Sequence, residues 1–468
     1  MNAHFRVRVS IVGAAIFGCV HSALAQQPAG VTVPPRPTKM AIAKLIVPEL
    51  SRFRLPNGLR VLMASDPRAP LFEARLVIGS GWRAETSGEA GASLLVRESV
   101  TAGTSGVSAN RLDSLGVLFA AATAGTDDEG LTTGFRMSGP SPSLEPALAL
   151  LSAAVRQPDM SPSELDRHRQ RFIESRRRRL YDPLTLASEH ALRLLRSPSL
   201  RSNAAPSDSA LSLRTPEQVR RFHSANYVPR NAILVIVAPQ SVDEVRRIAS
   251  LQFGRWEGRP AIGRAESRMV KLPATREVET LLRPGSTQGT IAVGTQLVGQ
   301  ESPDYPAVLL LRLLILRRLN EELSVARGWA YGVGTAGAPG TTPTGQFVIR
   351  TSVKPGRTGD ALSIIKSEMA RLAANPPDSA EADLATRIAS AALARASESR
   401  EVVAERIATA ETLGLRRDYW PALQRAFTTL DGTNLQSVAR RYFTPGAMSV
   451  VVLGDSSVLR SIAPVVGR

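Results

Sequence analysis

The sequence predicts an α+β protein made of two duplicated domains, each a mixed or antiparallel sheet with helices packed on one face. The chain has 468 residues, about three times the length of a typical single domain. Predicted strands and helices are intermixed along it, which is typical of neither an all-helical nor an all-strand protein. Similar motifs recur in its two halves at a nearly constant offset, which indicates a duplication.

The repeat is visible in two pairs of positions. Pro229 and Pro445 each lie shortly after a tyrosine and shortly before a β-branched apolar run, and they are 216 residues apart. Gly79 and Gly294 each end a strand-like apolar motif, and they are 215 residues apart. Because the two offsets agree within one residue, we expect two domains of about 200 residues.

Local patterns predict the elements in order. Asn57-Gly58 between two apolar runs is the strongest short-range signal for a β-hairpin, here over residues 53–62. Periodicity then predicts strands at 72–78, 117–124, 131–137, 232–237 and 346–353, and helices at 88–101, 144–155, 163–181, 184–195, 216–225 and around 309–316.

The N-terminus has the pattern of an export signal. Arg6 and Arg8 precede an apolar run over 9–20 and an A-x-A site at residues 23–25. The run is about 12 residues, whereas a bilayer span needs about 20. Cys19, the one cysteine, lies inside this segment, so the mature chain would contain none; a lipoprotein cleavage site at Cys19 is the alternative. We therefore expect a periplasmic or secreted protein.

The predicted organisation follows from these signals. It comprises a signal peptide over 1–25, a Pro-rich tether over 26–46, an N-terminal domain over 47–260, a linker over 261–276 and a C-terminal domain over 277–468. We expect no transmembrane segment after the signal is removed.

Composition limits the classes of protein but selects no partner. Hydrophobic residues make up 43% and charged residues 21%, which excludes a disordered, fibrous or multi-span membrane chain. The net charge of +17 becomes +15 without the signal peptide and comes almost entirely from arginine. Seven arginines crowd residues 167–179, a pattern that nucleic-acid or heparin surfaces also show. Apolar residues recur there at helical spacing, which favours a solvated helix face, and we expect no nucleic-acid partner.

Several motifs together resemble the insulinase-like (pitrilysin) zinc peptidase family, which includes the mitochondrial processing peptidases. They are the hairpin over 55–61, the strand ending in Gly79-Ser80-Gly81, Gly91 followed by Gly103-Thr104, and the segment from Arg327 to Tyr331. The resemblance covers about residues 53–455. It implies duplicated α+β domains, in agreement with the repeat.

The zinc signature of that family is missing. Active members carry H-x-x-E-H on one helix, with two histidines facing one zinc and the glutamate acting as general base, and a further glutamate as third ligand. Registered on Gly91 and Gly103-Thr104, the three signature positions are Leu94, Arg97 and Glu98, and Glu174 is a candidate for the third ligand position. Leucine has no donor atom, and arginine keeps its charge and takes no proton. We therefore expect no catalytic residue and no metal ligand in this chain, and no activity of the chain alone.

Histidines give an independent test. The predicted mature chain has only His168, His190 and His223, and no two are spaced i, i+3 or i+4. We interpret them as surface or capping histidines; a zinc site assembled from distant histidines is the alternative.

The resemblance also implies two substrate-binding residues. The family holds substrate with an arginine and a tyrosine seven residues apart. The tyrosine position matches Tyr331, and the arginine position is Ser324, with Arg327 as the nearby substitute. A structural tyrosine packed beside Trp329 is the alternative role.

Other catalytic motifs are absent or out of context. Gly332, Gly334 and Gly337 satisfy G-x-G-x-x-G, but a Pro- and Thr-rich stretch and a strand follow, so no helix opens there to bind phosphate. We expect a loop or hairpin connection. No G-x-S-x-G is present.

These observations predict an exported, non-catalytic member of the family that acts as the substrate-binding or structural partner of a separate active zinc peptidase. Zinc would be bound by that partner, and the complex would process peptides or proteins. The alternative is a stand-alone peptide-binding or envelope scaffold protein without a peptidase role.

Overall fold

Two mixed sheets and the helices around them form the described part of the chain. A computed structural model describes residues 45–466 except 46, 87, 103–113, 123–129, 197–200, 202, 203, 205, 259–276, 338–343 and 445–447. The predicted signal peptide, nearly all of the tether and the 261–276 linker lie outside the described residues, as do Gly103, Thr104 and Pro445.

The strands form one sheet in each half of the chain. They are β1 (Leu50–Arg54), β2 (Arg60–Ser65), β3 (Leu71–Ile78), β4 (Leu118–Ala122), β5 (Thr133–Pro140), β6 (Ala232–Ala238), β7 (Val278–Leu282), β8 (Gly289–Val298), β9 (Ala330–Ala336), β10 (Thr344–Val353) and β11 (Ser449–Gly454). The first sheet has the order β1-β2-β6-β3-β5-β4 and the second has β7-β11-β8-β10-β9. In each, one parallel pair, β2 with β6 or β7 with β11, adjoins antiparallel pairs.

The shared strand order supports the duplication. From the parallel pair onwards, β2-β6-β3-β5-β4 corresponds position by position to β7-β11-β8-β10-β9. The predicted hairpin is confirmed, because β1 and β2 pair antiparallel across a turn in which Gly58 has φ +95°. The glycine-rich motif is also confirmed as a hairpin, since Gly332 and Gly334 lie in β9, which pairs antiparallel with β10.

Helices connect the strands. They are α1 (Ala92–Ala102), α2 (Leu144–Arg156), α3 (Pro162–Leu180), α4 (Pro183–Leu194), α5 (Asp208–Ser212), α6 (Pro216–Asn226), α7 (Val242–Phe253), α8 (Tyr305–Asn320), α9 (Thr358–Ala374), α10 (Ser379–Ala396), α11 (Arg400–Leu413), α12 (Tyr419–Thr429), α13 (Gly432–Tyr442) and α14 (Ser456–Val466). In the described part of the chain, no helix has the length and apolarity needed to cross a bilayer.

Capping boxes start two equivalent helices. Thr215 and Gln218 form the box of α6, and Asp431 and Asn434 form that of α13. In each box the first side chain accepts a backbone N–H of the first turn, while the second side chain accepts the backbone N–H of the cap. The two boxes are again 216 residues apart, so the repeat extends to helix ends.

Most helices pack on one face of each sheet, as predicted. Along β3, Leu76 and Ile78 face the core of the first half, together with Leu95 of α1 and Phe222 of α6. The second half is built alike, with α8, α9 and α13 contributing to its core. The α+β prediction with two sheets and packed helices is therefore confirmed.

The opposite face of each sheet receives a helix from the other half of the chain. Ala404 of α11 packs with Val77 of β3 and Val235 of β6 in the first sheet. In the same way, Ala191 of α4 packs with Val348 of β10 in the second sheet. This exchange explains why β6 and β11 are continuous apolar runs, since strands buried on both faces lack the alternating polar positions of half-exposed strands.

Candidate functional site

A cavity of about 970 Å³ opens between α1, α3, α4 and the segment that leads into α1. The three positions of the zinc signature, Leu94, Arg97 and Glu98, all line it. Residues three and four apart on a helix share one face, so α1 presents this set to one side. The cavity therefore lies at the position where the family resemblance placed catalysis.

A buried glutamate organises the start of α1. The carboxylate of Glu85 accepts hydrogen bonds from the backbone N–H of Gly91 (3.1 Å) and of Ser93 (2.8 Å) and from the Ser93 hydroxyl (2.5 Å). Gly91 has φ +94°, and a Cβ there would meet Leu211 at 2.5 Å, so glycine is required. Burial raises the pKa of Glu85 to about 7, although the hydrogen bonds oppose this shift.

The donor set at the signature positions does not fit zinc. Leu94 offers no donor, and the Arg97 Nη2 lies 3.0 Å from the Glu98 Oε1, so the one acid of the set is already paired with a cation. Glu174 is exposed and is not among the residues that line the cavity. Across the described residues, no group of three or more histidine, cysteine or acidic side chains is placed to hold a metal ion. No catalytic step through a metal follows from these residues.

The cavity wall is strongly basic. Seven arginines and three glutamates line it: Arg97, Arg171, Arg176, Arg178, Arg179, Arg193 and Arg196, with Glu85, Glu98 and Glu189. Aromatic rings support part of this wall. The Arg196 guanidinium lies 5.6 Å from the ring centroid of Trp82, and that of Arg176 lies 5.7 Å from the ring of Phe172. The cavity is thus dominated by positively charged guanidinium groups, two of which lie against aromatic rings.

Sequence reasoning located only part of this wall. The sequence predicts a solvated face for the seven arginines of α3, and five of them are exposed, but four of the seven line the cavity. Trp82, Arg193, Arg196 and Glu85 were not identified at all. A usable signal for Glu85 was an acidic residue a few positions before a helix start, where a carboxylate can accept free backbone N–H groups.

The three histidines do not form a common site. His168 is buried, so the surface interpretation is wrong for it: its Nδ1 lies 2.6 Å from the Nη2 of Arg171, and burial and Arg171 lower its pKa. His223 caps α2, with Nε2 2.8 Å from the carbonyl oxygen of Val155, which confirms the capping interpretation. His190 pairs with Glu279, its Nδ1 3.0 Å from Oε1.

The expected substrate-binding residues lie in β9 of the second sheet (Tyr331) and in the turn before it (Arg327), and not on the cavity wall. Tyr331 is fully exposed on β9, an edge strand, so it is not packed beside Trp329. Ser324, at the family's arginine position, donates its hydroxyl to the carbonyl oxygen of Tyr331 (3.1 Å). Arg327 donates from Nε to Glu322 (2.8 Å), and its guanidinium lies 4.7 Å from the ring of Trp329.

Comparisons with known proteins agree with this geometry. The family model described as "Insulinase (Peptidase family M16)" matches residues 60–205, and the one described as "Peptidase M16 inactive domain" matches residues 214–388. No curated protein sequence matches the chain.

Three solved structures share the fold. A peptidase M16 inactive domain from Pseudomonas fluorescens is 20% identical with a TM-score of 0.76, covering 87% of this chain and 98% of that chain. A protease from Helicobacter pylori is 19% identical with a TM-score of 0.78, covering 87% and 100%. The first half of the periplasmic protease PqqL from Escherichia coli is 17% identical with a TM-score of 0.70, covering 90% and 95%.

Proposed function

Because the chain belongs to the insulinase family of peptidases, M16, we propose that it is the non-catalytic partner of a separate, zinc-binding peptidase of the same family, in peptide or protein processing. The observation that carries the proposal is the wall of the cavity. Leu94, Arg97 and the ion-paired Glu98 occupy the positions of the zinc ligands and the general base. The cavity is present at the position of the family's active site, but the residues that line it suit peptide binding and not peptide hydrolysis.

A likeness to one half of a protease supports a partnered arrangement. The chain covers 95% of a structure that is itself only the first half of a longer periplasmic protease. A chain equivalent to one half would work beside a second such chain, which would supply the metal, the general base and the other wall of a peptide-binding chamber. The signal pattern at residues 1–25 favours the periplasm as the location.

Peptide binding is assigned in this proposal to the edge of the second sheet. β9 is an edge strand, and within the described residues β10 is its one strand partner. A peptide added beside β9 would gain main-chain hydrogen bonds without a metal. The fully exposed ring of Tyr331 and the guanidinium of Arg327 would contact its side chains.

One observation favours the alternative of a stand-alone peptide-binding or envelope scaffold protein. Ser324 replaces the arginine of the substrate-holding pair, and its hydroxyl is already bonded to Tyr331. Arg327 is also engaged, by Glu322. One of the two residues with which the family holds a peptide over zinc, the arginine, is therefore replaced in this chain.

The test is coexpression with each H-x-x-E-H family member from the same genome, followed by size-exclusion chromatography, zinc analysis of each chain and a peptidase assay. We expect one member to co-elute with this chain, to hold all the zinc, and to cleave peptide faster in the complex than alone. The matched control is that partner with its signature glutamate changed to glutamine, which should still co-elute but be inactive. A chain that elutes alone with every candidate and binds peptide by itself would establish the scaffold alternative.

A further inference from the structure

We propose that the arginine-lined cavity binds an acidic peptide segment, one that presents at least two Asp or Glu carboxylates. The peptide nature of the ligand rests on the proposed function, whereas the preference for carboxylates comes from the cavity itself. Residues of α1, α3 and α4 line the cavity together, so the ligand would contact three helices at once.

Not all of the cavity's positive charge is compensated. Arg97 is paired with Glu98, Arg176 with Asp208, and Arg193 with Glu279. Arg171, in contrast, meets the imidazole of His168, whose burial favours the neutral form, and Arg178 has no ion pair within the described residues. Among the residues that the structure describes, at least two guanidinium groups thus face the cavity without an acidic partner, and an anionic ligand would supply one.

The wall is suited to carboxylates in particular. A guanidinium donates two parallel N–H bonds that match the two oxygens of one carboxylate. Cation–π contacts with Trp82 and Phe172 help to hold the guanidinium groups of Arg196 and Arg176 in the cavity before any ligand arrives. A volume of about 970 Å³ lies at the upper end of the range for drug-sized ligands, so it accommodates a short peptide segment better than a single small anion.

Charge placement disfavours nucleic acid as the ligand. A nucleic-acid surface needs an exposed, continuous stripe of basic residues. On the outer side of α3, however, Arg167 pairs with Glu164 and Arg177 pairs with Asp208. The uncompensated charge therefore lies in a concave site and not along the open ridge of the helix.

The experiment measures binding of fluorescently labelled octapeptides to the full chain by anisotropy, at low and high salt. The probes are a Glu- and Asp-rich peptide, a Lys-rich peptide and a Gly/Ser peptide. We expect the acidic peptide to bind at least about tenfold more tightly than the other two, and the difference to shrink with salt because ions screen exposed charges.

Matched variants locate the binding site. Arg171→Gln/Arg178→Gln removes two cavity charges, and Arg167→Gln/Arg220→Gln removes two exposed charges elsewhere. We expect acidic-peptide affinity to fall by about tenfold in the first and less than about twofold in the second. The single variant Arg178→Gln controls for misfolding of the double variant, because Arg178 is exposed and its substitution should leave the melting temperature unchanged. We expect this variant to weaken binding of the acidic peptide severalfold.

Three results would each overturn the proposal. They are equal binding of the acidic and Gly/Ser peptides, equal loss of affinity in the two double variants, and an oligonucleotide that binds more tightly than the acidic peptide and displaces it. Because no partner is present in this assay, its failure leaves the co-elution result, and hence the proposed function, untouched.

Discussion

The Nη2 of Arg97 lies 3.0 Å from the Oε1 of Glu98, its neighbour in α1. Arg97 occupies the position of the family's general base, and Glu98 occupies that of a zinc ligand. The cation at the first position thus neutralises the anion at the second. The signature positions therefore differ from those of active family members in two ways, a missing set of donor atoms and an added positive charge.

Restoring zinc binding should require removal of the arginine. Leu94→His/Glu98→His places two imidazoles on the cavity face of α1, and adding Arg97→Glu completes H-x-x-E-H. We expect the triple variant to bind zinc at least about tenfold more tightly than the double variant, because a guanidinium repels Zn²⁺ at short range. Zinc titration followed by metal analysis of the desalted protein checks this. Equal affinities would contradict a role for Arg97.

Glu85 should make the protein less stable as pH rises. Its pKa in the folded chain is about 7, above the ordinary 4.5, so its contribution is fully present below pH 4.5 and is lost as pH rises through 7. The loss amounts to at most about 3 kcal/mol. Urea unfolding at pH 5 and pH 8 should show it for the wild type. Glu85→Gln should reduce the difference, whereas Glu89→Gln, near the same helix start, should change it only slightly, because the charge of Glu89 makes only a minor contribution to the raised pKa of Glu85.

Arg136 should be needed to keep Glu73 buried. It donates to both carboxylate oxygens of Glu73 (3.1 and 3.2 Å) and also pairs with Glu401 of α11. Burial raises the pKa of Glu73 even with Arg136 present. Arg136→Met should therefore cost about 3 kcal/mol of unfolding free energy at pH 7 and less at pH 4.5, where protonation relieves the buried charge.

The matched variant for Arg136 is Glu401→Gln. The Glu401 side chain is 46% exposed, so its loss should cost less than about 1 kcal/mol. Chemical denaturation of both variants at both pH values measures these differences. Similar losses of unfolding free energy in Arg136→Met and Glu401→Gln would show that Arg136 does not stabilise the buried carboxylate of Glu73.

The exchanged helices should tie the two halves into one cooperative unit. Ala404 of α11 is fully buried against the first sheet, so Ala404→Glu would bury an unpaired charge and should cost about 3 kcal/mol or more. Ala392→Glu, exposed on the adjacent α10, should change stability by less than about 0.5 kcal/mol. Circular dichroism during urea unfolding checks both. Equal midpoints would mean that α11 does not stabilise the first sheet.

Tyr331 should matter to peptide processing and not to stability. Its ring is fully exposed, so Tyr331→Ala should leave the melting temperature unchanged. In the assembled complex, we expect it to raise KM for peptide by about tenfold, the effect of losing a large aromatic contact. Tyr181→Ala, an exposed tyrosine at the end of α3, is the control. An unchanged KM would remove Tyr331 from the substrate-binding residues.

Local features were predictable because short stretches of chain determine them. Asn57-Gly58 specifies a tight hairpin, and Thr215 with Gln218 specifies a helix start, so both follow from the residues themselves. The burial of His168 was not predictable, since it depends on helices distant in sequence that cover α3. The same holds for Glu85, whose raised pKa comes from burial.

The sequence alone determined the α+β class, the duplication, the resemblance to the peptidase family and the absence of H-x-x-E-H, because each depends on residue identity and spacing along the chain. Only the tertiary structure decided that α4 and α11 pack on each other's sheets and that the α3 arginines meet Arg193 and Arg196 in one cavity. An amphipathic pattern shows which side of a helix is apolar but not which sheet will cover it. That choice depends on contacts between residues about 200 positions apart, and it converts an arginine-rich helix face into part of a binding cavity.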